Sequence, residues 1–285
     1  MRRGTRLEVT RRLPLVERHT VSDSWAINTY VACDIRCTYC ITSAQGRSVP
    51  RVPPDELASQ LRLELDQVGE IDRLTVGPYC DVYPGPEARL GITRRALEVL
   101  DERELSFRLI TKGTTVVRDA DLLTRPGNLI QVSLNTLDDS VIARLEPGSP
   151  PAAARLDALH ELASRGIEVC LQATPWIPGI TDIRALRRRV DRDILIRVTP
   201  LRLPSHLARA TRALGLTQAE VNDAYRREYE RVGPMRKVRW SRPPPLDGSP
   251  PHIVDNIGRY TPSDWTPAPT APDPGPRRSW MTGGT

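Results

Sequence analysis

Trp25-Ala-Ile-Asn28-Thr-Tyr30-Val-Ala32-Cys33-Asp-Ile-Arg36-Cys37-Thr-Tyr39-Cys40 is the stretch that decides the fold. Its first half, Trp25 to Ala32, alternates enough to be a strand. Its second half sets three cysteines at CxxxCxxC spacing directly after that strand. Three thiols so close can each place a thiolate on one metal centre. A structural zinc site wants four protein ligands, usually from two CxxC pairs. A cubane 4Fe–4S cluster also takes four ligands, so three cysteines leave one iron open, here beside the aromatic Tyr39. The blander alternatives are a zinc knuckle or three core thiols. Five cysteines with three of them clustered make no disulfide framework, and such spacing in a cytosolic protein reads as metal-binding.

Outward from this loop the chain alternates strands and helices. Pro53-Pro54-Asp55 opens a helix with Asp55 as its cap, carrying Leu57, Leu61 and Leu65 at helical spacing. Strands are expected at Arg73–Gly77, Phe107–Ile110, Leu129–Leu134, Glu168–Ala173 and Asp193–Val198. The helices between them start at Gly91-Ile92-Thr93, run briefly over Asp119–Leu123, and span Ala152–Ser164 and Asp182–Val190. Strands separated by helices imply a parallel sheet with right-handed crossovers. No GxGxxG follows the first strand, so a partial (β/α)6 barrel fits better than a doubly wound sheet. In barrels the chemistry sits at the carboxyl ends of strands. Those ends carry the cysteine loop, Cys80-Asp81, Lys112, Ser133 and Ala173-Thr174.

The expected domains are an irregular lead-in over 1–22, the barrel over 23–200, a helical extension over 201–240 and a disordered Pro-rich tail over 241–285. Within the extension, Thr217-Gln-Ala-Glu220 has the form of a capping box.

Composition bounds the function. A hydrophobic content of 39% over 285 residues supports a real core, and with aromatics at 5% Leu, Ile and Val must fill it. No apolar run is long enough to span a bilayer and no signal peptide is evident, so the expected location is cytoplasmic, without a membrane partner. The net charge of +6 is compatible with a nucleotide, phosphate or nucleic-acid partner but does not favour nucleic acid by itself. Arg replaces Lys nearly everywhere, and Arg187-Arg188-Arg189 reads as a solvated helix face. The four histidines share no metal-ligand spacing.

The cysteine motif CxxxCx(aromatic)C resembles that of the radical S-adenosylmethionine superfamily. Within it the chain is similar to the spore photoproduct lyase-like group. The likeness runs in order through Trp25–Tyr30, Gly77-Pro-Tyr-Cys80-Asp81-Val-Tyr83-Pro-Gly-Pro-Glu87, Leu90–Arg94, Leu109–Lys112 with Arg118-Asp119, Val132–Thr136, Glu146–Gly148 with Pro150 and Arg155, and Ala173–Asp182. It covers the barrel and leaves both termini unexplained.

The resemblance implies that Cys33, Cys37 and Cys40 hold one 4Fe–4S cluster. It also implies that S-adenosylmethionine binds the open iron, with Tyr39 by the adenine. Reductive cleavage to a 5′-deoxyadenosyl radical would begin hydrogen abstraction from an unidentified substrate, a small metabolite, nucleoside or peptide. A flavodoxin or ferredoxin would supply the electron. Lys112 matches the lysine that pairs with the cofactor carboxylate, Ser133 a serine that hydrogen-bonds the cofactor, and Ala173 a position whose backbone approaches the adenine. Asp81 would bind polar groups of the cofactor or cap its loop, and Glu146 and Arg155 would form a buried ion pair or bind ribose. The group's hydrogen-donating cysteine aligns with Pro78, so Cys80 is either a shifted catalytic donor or an ordinary buried thiol. Cys170, mid-strand, is expected in the core. Repair of a DNA lesion, or a non-enzymatic zinc or iron–sulfur module, are the alternative functions.

Overall fold

In the computed structural model the described residues are 13–19, 24–40, 46–177 and 179–200, with 210, 212–217, 220, 227 and 238–240. They build one sheet whose eight strands lie side by side in chain order. The strands are β1 (Val16–Arg18), β2 (Trp25–Ile27), β3 (Leu74–Val76), β4 (Arg108–Thr111), β5 (Leu129–Ser133), β6 (Val169–Trp176), β7 (Leu195–Pro200) and β8 (Val238–Trp240). β1 runs antiparallel to β2, and every later pair is parallel. Neighbouring order with parallel pairing is what strand–helix–strand units give when each crossover turns the same way. The six expected barrel strands are all present.

Two strands correct the expected layout. β1 lies inside the lead-in that the sequence reading left irregular, and β8 lies inside the extension read as helical. The helical character expected after residue 204 appears at Ala210, 212–214, Glu220 and Arg227, and the Thr217–Glu220 capping box is formed in both directions. The tail 241–285 lies outside the described residues, as do most of 1–22.

The helices are α1 (Leu57–Val68), α2 (Glu87–Leu90), α3 (Ile92–Glu102), α4 (Asp139–Leu145), α5 (Ala152–Ser164) and α6 (Ile183–Arg189), with a 3₁₀ segment over Thr114–Leu122. α1 buries the expected Leu57, Leu61 and Leu65, but its N-cap position is Glu56 and no side chain caps it. Asp55 is therefore not the cap. Asp138 does cap α4 and Asp182 caps α6, each accepting backbone N–H bonds. The short helix expected at 119–123 is instead the end of the 3₁₀ segment.

The helix-side face of the strands is apolar: Leu109, Ile130, Val132, Leu171, Ala173, Ile196 and Val198 are at most 2% exposed and join the main core. Among the described residues no helix is long and apolar enough to cross a membrane.

Candidate functional site

The cysteine loop leaves the end of β2 and is stitched to the segment after α4. Thr38 N–H donates to the Leu145 carbonyl at 2.8 Å and Gly148 N–H to that of Ile35 at 3.0 Å. Gly148 sits so close that a Cβ there would lie 2.3 Å from the Asp34 carbonyl oxygen. Only glycine permits this approach. Cys33 and Cys37 are buried and Cys40 is partly exposed, all three as free thiols.

The three thiols sense one another. Burial pushes the Cys37 thiol up to about 12 against the pull of Lys112, and the charges of Glu146, Cys33 and Cys40 add to the rise. They are neighbours, yet among the described residues no three of His, Cys, Asp and Glu are gathered around a single metal ion. A zinc ion would hold its sulfurs within about 3.8 Å of each other, given bonds of about 2.3 Å. Three free cysteines on one short loop, with a partly buried cation beside them, fit a cluster that takes a thiolate at each of three corners.

Behind the loop lies a buried charge network. Glu146 and Arg155 have fully buried side chains and pair at 2.8 Å. Arg155 also donates to the Ser133 carbonyl at 2.9 Å. Of the two roles the sequence left open for this pair, the structure therefore gives it the site-shaping one. Tyr39 Oη donates to Glu146 Oε1, and Lys112 Nζ stands 4.0 Å from the same oxygen and 5.8 Å from the Tyr39 ring centroid. Burial alone would lower the Lys112 ammonium; the anionic forms of Cys37 and Glu146 outweigh it and hold it above its ordinary value. Burial likewise would raise Glu146, but Lys112, Arg155 and the Tyr39 hydroxyl bring it below its ordinary value. The result is a cation fixed beside the cysteines, with its side chain 15% exposed.

Asp81 fills the loop-capping role. Its Oδ1 accepts from Tyr83 N–H at 2.9 Å and Thr111 Oγ1 at 2.6 Å, and its Oδ2 from Lys112 N–H at 2.6 Å. These bonds tie the β3 loop to the end of β4 and hold the Lys112 backbone, the loop-capping role that was one of the two expected for Asp81. Cys80 is 7% exposed, and its thiol donates to the Tyr30 carbonyl at 3.0 Å. Burial, then the charge of Cys33, pushes it up to about 12, so it keeps its hydrogen at neutral pH.

Ser133 is 3% exposed and its hydroxyl makes no hydrogen bond among the described residues, so it is not spent on its own backbone. Ala173 is fully buried and opens an irregularity in the pairing of β6 with β7 that runs to Trp176. Such a bulge frees backbone groups at the strand end. Asn135, inside the Val132–Thr136 stretch, is 1% exposed, and among the described residues neither its Oδ1 nor its Nδ2 has a partner. Its spacing of two from Ser133 was the available signal, since alternate strand positions share a face.

The other charged residues of these loops are structural. Glu87 is fully buried, takes the Tyr30 hydroxyl at 2.6 Å and two N–H groups at the start of α3, and pairs with Arg118 at 2.7 Å. Asp119 meets Arg118, Arg94 and the Tyr83 hydroxyl.

Residues 27–189 match the family profile of the Radical SAM superfamily. An uncharacterized protein of Methanocaldococcus jannaschii is 29% identical over 167 residues, 56% of this chain and 62% of that protein. The radical SAM Nα-GlyT isomerase of Pseudomonas phage M6 is 27% identical over 171 residues, 55% of this chain and 35% of that protein. The matched span is thus under two thirds of each of these relatives. Among solved structures, spore photoproduct lyase complexed with dinucleoside spore photoproduct superposes with a TM-score of 0.58 at 17% identity, covering 81% of this chain and 79% of that one.

Proposed function

The chain belongs to the Radical SAM superfamily and is a radical S-adenosylmethionine enzyme, and from that premise we propose how its own residues serve the reaction. Bound to the protein, a 4Fe–4S cluster and S-adenosylmethionine would supply a 5′-deoxyadenosyl radical able to take hydrogen from an unactivated C–H bond of the substrate. Cys33, Cys37 and Cys40 would hold the cluster. The observation that carries the reading is their seating against the Lys112–Glu146–Arg155 network.

Lys112 would neutralise the cofactor carboxylate, held in place by Asp81 from below and balanced by Glu146 from behind. Tyr39, with its hydroxyl committed to Glu146, would offer the cofactor its ring and fix the loop. Ser133 would supply its hydroxyl and Asn135 an amide with no partner among the described residues, and the irregular backbone at Ala173 would approach the adenine. A dry site protects a reactive carbon radical from quenching. The buried, protonated Cys80 would return a hydrogen atom to the product. A flavodoxin or ferredoxin would bring the electron, and residues 23–200 would form the catalytic barrel.

The substrate is a small metabolite, nucleoside or peptide. Lesion repair is the second reading, favoured by the fold shared with spore photoproduct lyase. The test is anaerobic reconstitution with iron and sulfide, then S-adenosylmethionine and a reductant. About four irons with matching sulfide per chain and formation of 5′-deoxyadenosine are expected, both lost when any of the three cysteines becomes alanine. One zinc per chain, or no cleavage by the four-iron protein, would overturn the reading.

A further inference from the structure

The inner face of the sheet is not built like its outer face. Reading alternate residues along the strands gives Arg108 and Ile110 on β4, Leu129, Gln131 and Ser133 on β5, Cys170 and Gln172 on β6, and Leu195 and Arg197 on β7. The strand register places these on one side: Gln131 opposite Cys170, Ser133 opposite Gln172, and Gln172 opposite Arg197. Arg108, Gln172 and Arg197 are only partly buried, while Leu109, Leu171, Ile196 and Val198 on the helix side are fully buried. The inner face therefore carries polar side chains on each of β4 to β7, where the helix-side face is apolar.

Two features of that face point to a ligand. Arg108 and Arg197 stand three strands apart, roughly 14 Å along the sheet, on the same face, and the Arg197 charge adds to burial in lowering the Arg108 guanidinium. Neither has an ion-pair partner among the described residues, whereas Arg51, Arg94, Arg118 and Arg155 each face a carboxylate. Arg108 has a single side-chain bond, to Thr75 Oγ1 at 2.9 Å, and its Nε has none. Nearby His19 is no counter-ion: burial, then the Arg108 charge, brings it down to about 4.

Second, buried acceptors are left over. Gln131 is 1% exposed and, among the described residues, its Oε1 accepts no hydrogen bond, nor does Oε1 of Gln172. Two like charges and two orphaned carbonyls in an enclosed space are costly unless something completes them.

We infer that Arg108 and Arg197 clamp an anionic group of the substrate, a carboxylate or phosphate, while Gln131 and Gln172 accept from hydroxyl or N–H groups beside it. The guanidinium fork matches both anions. The inference rests on the enzymatic reading above for the word substrate, but the anion site stands on its own residues. Gln131 lies two residues below Ser133 on β5 and Arg108 four below Lys112 on β4, about 7 Å and 13 Å along the strands. An anion held there puts the body of a small molecule between the clamp and the cofactor layer. The chamber thus selects small, acidic, hydrogen-bond-donating substrates.

The test uses the reconstituted protein with S-adenosylmethionine, adding inorganic phosphate or acetate at ionic strength held constant with choline chloride. A saturable rise in melting midpoint is expected in the parent protein, and the tighter of the two anions names the group. Arg108→Gln and Arg197→Gln should each raise the half-saturating concentration by about tenfold or more, and the Lys variants should recover most of the response. Gln131→Glu, which supplies a carboxylate beside the arginines, should abolish the response while raising the anion-free midpoint. No saturable response in the parent, or a response kept by both Gln variants, overturns the clamp. Formation of 5′-deoxyadenosine is scored separately, so its loss with the anion response intact strikes the enzymatic reading alone.

Discussion

Glu146→Gln isolates the charge balance of the site. The substitution keeps the shape of the side chain and removes one negative charge. In the protein that charge faces Arg155 at 2.8 Å and Lys112 at 4.0 Å and accepts the Tyr39 hydroxyl. Without it two cations share a pocket in which the Arg155 and residue-146 side chains have no exposure at all. Removing one partner of such a buried pair costs about 3–5 kcal/mol. Lys112 keeps 15% of its side chain exposed and recovers some hydration, so the lower end applies. At about 2–4 °C per kcal/mol for a domain of this size, the midpoint should fall by about 6–12 °C.

Scanning calorimetry of the metal-free protein reads this directly, and pH gives a second axis. The folded carboxyl sits below its ordinary value of 4.5, because Lys112 and Arg155 overcome the effect of burial. A depressed carboxylate contributes stability that is complete above its unfolded value and lost as pH falls through the folded value. The gap between parent and variant should therefore be flat near neutrality and close as the pH drops below 4.5. A fall of less than about 2 °C at neutral pH, under 1 kcal/mol on the same scale, would refute the claim that this carboxylate holds the two cations together.

Three further outcomes follow from single contacts. Gly148→Ala drives a Cβ into the Asp34 carbonyl, so the loop must shift; iron retained after reconstitution should fall by more than half while far-ultraviolet circular dichroism is unchanged. Lys112→Gln removes the cation beside the cysteines and should weaken S-adenosylmethionine binding by about tenfold or more, the scale of a charge-assisted hydrogen bond, as read by equilibrium dialysis. Cys80, pushed up to about 12 from an ordinary 9.0, should react with iodoacetamide at mildly alkaline pH two to three orders of magnitude more slowly than a free thiol, because only the thiolate attacks; mass spectrometry showing alkylation at the free-thiol rate would contradict the burial of that sulfur.

Much of the barrel was readable because its signals are local. β5, β6 and β7 are apolar-rich runs between helices with clear periodicity, and α5 falls on the residues its pattern marks. The misses are where local signals are thin. β1 is three residues, Val16-Glu-Arg, that pair only because β2 offers an edge, and α2 is four residues held by Glu87. Asp55 looked like a cap, but the chain turns once more through Glu56 before α1 begins. The cysteines were legible for the same reason as the helices, since their spacing is a sequence property. The bonds that make them a site were not. Tyr39 meets Glu146 across 107 positions and Asp81 meets Lys112 across 31, and nothing in either segment alone announces its partner.

The inner face is an intermediate case, because its signal lies in the alternation of the strands, and of its residues only Cys170 was assigned to the core. A parallel sheet covered on both faces has near-continuous apolar strands. Here Gln131-Val-Ser133, Cys170-Leu-Gln172 and Arg197-Val198 alternate instead, and Arg108 opens β4 on the same face. Alternation in a parallel strand means that one face is not packed against helices, and a face carrying Arg and Gln cannot close on itself as an apolar core does. Cys170 shows the consequence. It is fully buried, as the core assignment expected, yet its neighbours are the Gln131 amide and the charges of Arg197 and Arg108. A residue can be inaccessible to solvent and still line a polar chamber. In this protein burial alone does not separate core from site, and the partners left unsatisfied on the inner face do.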